Sequence, residues 1–167
     1  MRLYLVRHGE TEYNKKRILQ PENSKLNEEG IKQAKKISNR LKDIKFDVIY
    51  TSPMERAHMT MREIAINHSQ TKVIVSELLS ENHIGELLGL SYQEAREIRT
   101  KHGFMTYRPK RGESVLDTFD RVGKFYDELL KNHENHTILV VTHGWPIIKI
   151  LHCIIGGVYN REFYDKH

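Results

Sequence analysis

The segment from Thr137 to Val141, Thr-Ile-Leu-Val-Val, is an unbroken run of mostly β-branched residues. It shows no polar alternation, so a strand built from it is covered on both faces, as in a parallel sheet. The rest of the chain fits that constraint. Residues 3–6 and 46–50 are strand-like, and 73–75 make a shorter strand. Helical spacing fills the gaps between them. Ile31, Ala34, Ile37 and Leu41 line one face of a helix over 27–43, with Asn27 as its cap. The stretch SPMERAHMTMREIAINH predicts a helix with Ser52 at the N-cap, Pro53 at the first position and Glu55 closing a capping box. Ser91-x-x-Glu94 and Ser114-x-x-Asp117 start two more helices, over 92–101 and to about 131, and the last runs over 146–155. Strands alternating with helices predict an α/β fold, a three-layer sandwich with a mostly parallel central sheet and helices on both faces. With 167 residues and no repeat or linker, 1–167 is expected to form a single domain.

Composition excludes several classes. No run has the length of a membrane span, and no apolar leader is visible, so a cytoplasmic protein with no membrane partner is expected. A single cysteine, Cys153, rules out an internal disulfide and is expected to pack in the core. The Asn-x-Ser/Thr triplets at Asn67 and Asn135 then read as chance. The net charge of +5 favours anionic partners, but basic and aromatic residues do not interleave as nucleic-acid binding requires.

Three strands end in residues able to do chemistry. The first runs into Arg7-His8-Gly9, the second into Thr51-Ser52 with Arg56 just beyond, and the last into Thr142-His143-Gly144. In a parallel sheet these ends share the carboxyl edge, where open α/β folds bind ligands. Two arginines there suit bidentate capture of phosphate, and the start of a helix favours an anion. Gly9 and Gly144 are expected to let the backbone turn tightly and approach a ligand. The combination reads as a phosphate site with an imidazole at its centre. His133 and His136 lie in a polar turn far from these ends, and no His-Glu-x-x-His occurs, so no metal site is expected.

The segments LVRHGETEYN, TSPMERAHMT, LSENHIGELLGLS, RGESVLDTFDRV and LVVTHG resemble, in order and spacing, the histidine phosphatase superfamily, also called the phosphoglycerate mutase-like family. The resemblance spans about 3–155. It implies a phosphohistidine on His8, formed without metal or other cofactor. It also implies that Arg7, Arg56, Asn14 and His143 hold phosphoryl oxygens, and that Glu81 is the acid/base. A protonated His143 is expected to add charge for the three equatorial oxygens. Only the resemblance to the family's spacing promotes Glu81 over Glu77 and Glu86. His83 stands where relatives often carry aspartate and is a candidate contact for the leaving group. Leu87 and Leu88 replace a tryptophan and an acid common in relatives. Relatives also usually continue into a further strand, so the last ten or so residues are expected to be poorly ordered or truncated.

Three readings follow. The leading one is a hydrolase of a small phosphorylated metabolite. A phosphoglycerate mutase is the alternative, and a phosphohistidine- or phosphoprotein phosphatase remains open. A catalytically dead binding protein is disfavoured, because both histidines, both arginines and Glu81 are present. The span from 89 to 112 is too short to seal the site, although Tyr107, Arg108, Lys110 and Arg111 are placed there to grip an anion. Neither the particular substrate nor the oligomeric state can be read from the residues.

Overall fold

The computed structural model describes residues 1–156. The C-terminal residues expected to be poorly ordered lie outside them. Four strands, β1 (Arg2–Arg7), β2 (Val48–Thr51), β3 (Lys72–Val75) and β4 (Thr137–Thr142), form one sheet in the order β1-β4-β2-β3, with every neighbouring pair parallel. The last strand in sequence therefore sits between the first two. Its side chains Ile138, Leu139, Val140 and Val141 are fully buried, as the missing polar alternation requires.

The pleat divides the core in two. Leu139, Val141 and Ile49 pack with Leu41, Met61 and Ile64, from helices α2 (Glu28–Leu41) and α3 (Glu55–Ala65). On the opposite face Val48, Ile138 and Val140 pack with Val122, Phe125, Leu129 and Ile150, from α5 (Val115–Asn132) and α6 (Gly144–Ile155). These are the three expected layers. Cys153 on α6 is only partly buried, so its role is not the core packing expected of it.

Several helix starts follow the chemistry of their caps. Asn27 accepts from the Gly30 amide to begin α2. Ser91 with Glu94, and Ser114 with Asp117, close reciprocal capping boxes on α4 (Tyr92–His102) and α5. The box expected at Ser52 does not form. Helix α3 starts two residues later than expected, with Met54 at its N-cap and no side-chain cap. A short helix, α1 (Glu12–Lys16), was not expected; Thr11 and Asn14 cap it reciprocally.

Gly9 has a further reason beyond the one its place beside His8 suggests. A Cβ on Gly9 would lie 2.4 Å from the Gly30 carbonyl oxygen, and one on Gly30 would lie 2.1 Å from that of Glu10. The loop after β1 and the first turn of α2 are thus in backbone contact, with no room for a methyl group. Gly30→Ala is expected to cost about 1–3 kcal/mol, the usual penalty for forcing atoms into a filled space. Urea denaturation checks this, and unchanged stability would contradict the contact.

Candidate active site

Pairing register puts the three strand ends level. Arg7 is opposite Thr142, and Thr51 opposite Val141. Backbone bonds carry the ladder one step further, from His8 N–H to the Thr142 carbonyl (3.0 Å) and from Ser52 N–H to the Val141 carbonyl (3.1 Å). His8, Ser52 and His143 are therefore neighbours at the carboxyl edge. They adjoin a cleft of about 1050 Å³ lined by Arg7, His8, Arg56, Glu81 and Gly144, among others.

His8 is 7% exposed, and its ring centroid lies 5.1 Å from that of His143. Its Nδ1 is 2.8 Å from the Gly9 carbonyl oxygen. A carbonyl can only accept, so the proton sits on Nδ1 and Nε2 carries the lone pair. Burial, with Arg56 and Arg7 close by, lowers the imidazole pKa to about 3. The ring is thus neutral at ordinary pH. Gly9 N–H donates to Thr60 Oγ1 (3.0 Å), and that hydroxyl donates to the Arg56 carbonyl (2.8 Å), tying the loop to α3.

His143 is fully buried, with Nε2 2.7 Å from Ser52 Oγ and Nδ1 without a partner. Burial first, then Arg56 and the other cations around it, hold its pKa well below the ordinary value, which opposes the positive charge expected of it. Ser52 is the residue the sequence reading misplaced. Its hydroxyl meets His143 and accepts from Met54 N–H (3.2 Å), so it contacts the site and does not cap the helix.

Arg56, in the first turn of α3, is 2% exposed. Its Nη1 donates to the carbonyls of Pro21 (3.1 Å) and Glu22 (3.4 Å) and to Ser24 Oγ (3.1 Å), and its Nε has no partner. Its Nη2 donates to Met54 Sδ (3.2 Å), so the guanidinium is anchored through both terminal nitrogens, with donor capacity left at Nε. Arg7 is exposed at the end of β1 and lines the cleft.

Glu81 is brought to the same place by the last helix. Its Oε2 accepts from Gly144 N–H (3.0 Å), and its Oε1 from Asn82 N–H (3.0 Å) and Trp145 N–H (3.3 Å). Burial raises its pKa despite these bonds and the nearby arginines, which favours the protonated acid. Arg121 holds the loop from behind, donating to the carbonyls of Leu78 (2.9 Å) and Ser80 (2.9 Å) while paired with Glu113 (2.8 Å). The rivals lie elsewhere. Glu86 is exposed and accepts from Tyr107 and Lys110, and Glu77 is exposed beside Ser80.

The remaining candidates vary. Asn14 lines the cleft, but its Oδ1 is held by Thr11 and its Nδ2 donates to Tyr92 Oη (3.0 Å). His83 also lines it, half exposed, with Nδ1 2.8 Å from Glu22 Oε1. Gly144 contributes its amide to Glu81, and a Cβ there would lie 3.6 Å from Glu81 Oε2, an ordinary contact. Of the four residues expected to grip an anion, only Arg111 lines the cleft. Arg108 pairs with Asp117 (2.6 Å), while Tyr107 and Lys110 are engaged by Glu86. His133 and His136 lie 2.7 Å apart, Nδ1 to Nδ1, just before β4 and so at the opposite edge of the sheet.

Known proteins share this arrangement of sequence. The profile of the histidine phosphatase superfamily (branch 1) matches residues 3–166. The chain belongs to that superfamily. It is 33% identical to phosphoserine phosphatase 1 of Hydrogenobacter thermophilus, over 99% of this chain and 81% of that protein. It is 35% identical to a 2,3-bisphosphoglycerate-dependent phosphoglycerate mutase of Brucella anthropi, over 92% and 81% respectively. The solved structure of an alpha-ribazole phosphatase from Shigella flexneri superposes with a TM-score of 0.87 at 25% identity, covering 99% of this chain and 84% of that one. Superfamily relatives thus include both phosphatases and mutases, on the same fold.

Proposed function

We propose that this protein is a phosphatase that hydrolyses a small phosphomonoester through a phosphohistidine on His8. One observation carries the reading: a buried, neutral imidazole whose Nδ1–H is held by the Gly9 carbonyl, leaving the Nε2 lone pair for phosphorus. Nε2 attacks in line as the phosphorus–oxygen ester bond breaks, and the leaving oxygen takes the proton from Glu81. Water then attacks the phosphohistidine, giving its proton to the Glu81 carboxylate and releasing phosphate from Nε2. Arg7 and Arg56 hold the equatorial oxygens throughout. A phosphoryl dianion beside His143 opposes the cations that keep it neutral, so substrate binding draws a proton onto that ring. The arginines and the imidazole supply the charge a metal ion would otherwise bring.

Hydrolysis is favoured over mutase chemistry by the fate of residues 103–114. The side chains of Tyr107 and Arg108 are turned to Glu86 and Asp117 and do not line the cleft, and a mutase must shield its phosphoenzyme from water while the intermediate turns over. With 3-phosphoglycerate and a trace of the bisphosphate primer, phosphate release is expected to exceed 2-/3-phosphoglycerate interconversion. Faster interconversion makes the protein a mutase. A panel of phosphorylated metabolites, with phosphohistidine peptide as one member, is expected to yield phosphate undiminished by EDTA and to be inhibited by vanadate. Activity that depends on added magnesium or zinc would overturn the reading. Among the described residues no helix is long and apolar enough to cross a membrane.

A further inference from the structure

Arg99 on α4 lines the same cleft but takes no part in the chemistry above. It is 7% exposed, which is rare for a cation without a carboxylate partner. Its Nη2 donates to the neutral Asn82 Oδ1 (2.7 Å), and its Nη1 is buried with no hydrogen-bond partner. No carboxylate among the described residues pairs with it. A guanidinium stays charged at any ordinary pH, so an anion is missing here.

Arg7, Arg56 and Arg111 line the cleft beside Arg99, while Glu22 is engaged with His83 and Glu81 with backbone amides, so neither carboxylate pairs with Arg99. The position of Arg99 says where on the substrate the second anion sits. Asn82 accepts from Arg99 through its side chain and donates from its backbone to Glu81 Oε1. Glu81 is the group that protonates the leaving oxygen, so Arg99 stands beside the leaving alcohol and not beside the phosphoryl group. Asn82 is fixed in turn by donating to the carbonyls of Glu113 (3.2 Å) and Ser114 (3.1 Å) and to Thr118 Oγ1 (2.8 Å). The free donor edge is therefore preorganised.

We infer that Arg99 forms a second anion subsite, and that the substrate is a phosphomonoester whose alcohol portion carries another oxyanion, a carboxylate or a second phosphoryl group. The inference deepens the phosphatase reading and rests on it for the side of the cleft assigned, but binding alone tests it. Wild-type protein is titrated calorimetrically with ω-phosphonocarboxylic acids of increasing chain length and with their carboxamide twins, none of which can be hydrolysed. At one or more lengths the acid is expected to bind about 10–100-fold tighter than the amide, the range for a charge-assisted hydrogen-bonded pair. Arg99→Gln is expected to bring that ratio within about threefold, and Arg99→Lys to leave it intermediate, with circular-dichroism melts confirming that each variant folds. A matching bisphosphonate series shows which oxyanion is preferred. Equal binding of acid and amide at every length in wild-type protein overturns the subsite without any variant. A ratio that survives in folded Arg99→Gln overturns it as well. Discrimination in a protein that releases phosphate from no ester would leave the subsite standing and remove the hydrolytic reading instead.

Discussion

His8→Ala protein is expected to fold and to lose turnover by roughly 10⁴-fold or more, because the Nε2 lone pair that forms the covalent intermediate goes with the ring. Wild-type protein quenched during turnover should carry acid-labile, alkali-stable phosphate, and the variant none. Residual activity of more than a few per cent would end the covalent mechanism. The same substitution has a second signature. In the folded chain the ring is held at about pKa 3, against the ordinary 6.5. The unfolded chain therefore binds the extra proton between those values, and wild-type stability falls as pH drops through that window. At pH 4.5 the loss from this one group is roughly 2–3 kcal/mol relative to pH 8. Alanine has no such liability, so the variant should gain on wild type by that amount in urea melts at pH 4.5. An identical difference at both pH values would mean that His8 is not held neutral by its surroundings.

Glu81→Gln is expected to lower turnover by roughly 10²–10⁴-fold, the usual contribution of a general acid. The defect should depend on the leaving group. An alkyl phosphate needs a proton on its departing oxygen, whereas p-nitrophenolate leaves without one, so the loss should be much smaller for the aryl ester in the step that forms the phosphoenzyme. Burial raises the Glu81 pKa, so the acid form persists above the normal carboxylate range. Wild-type kcat/KM should then fall on the alkaline side as Glu81 ionises, and the Gln variant should lack that limb. A loss equal for both esters would reassign Glu81 to a structural role. A comparable defect in Glu86→Gln is not expected, since that carboxylate is exposed and engaged by Tyr107 and Lys110.

How far the sequence could be read differs by residue. The sheet was legible because β4 carries no polar residue between Ile138 and Val141, and the convergence of His8 and His143 follows from strand ends alone. Arg56 was legible for the same reason. Ser52 was not. A serine before Pro53 with Glu55 beyond has the pattern of a cap, and only the third dimension brings His143 Nε2 to its hydroxyl. A further reason for glycine at position 9 was not legible, since the close approach to Gly30 is a contact across 21 residues that local pattern cannot show. Glu81 is one acid among three in its stretch, and what selects it is the amide of Gly144, 63 residues away. The pull on the charge of His143 was not legible, because a histidine near phosphate suggests a cation, while burial among arginines opposes one. Arg99 carries no signal at all in a polar helix, because only burial separates it from its solvated neighbours.

The strand order has a consequence for how the molecule comes into being. Because β4 lies between β1 and β2, the two strands that lead into His8 and Ser52 are joined only through the segment at 137–142. During synthesis His8 is made some 130 residues before the strand that braces it. Parallel pairing over that separation is slow to close, and in the interval β1 and β2 each offer an unfilled edge to other chains. Capacity to react with phosphate is thus acquired in one late event rather than by degrees, and a ribosome-bound chain that has not yet released β4 has its nucleophile but no site.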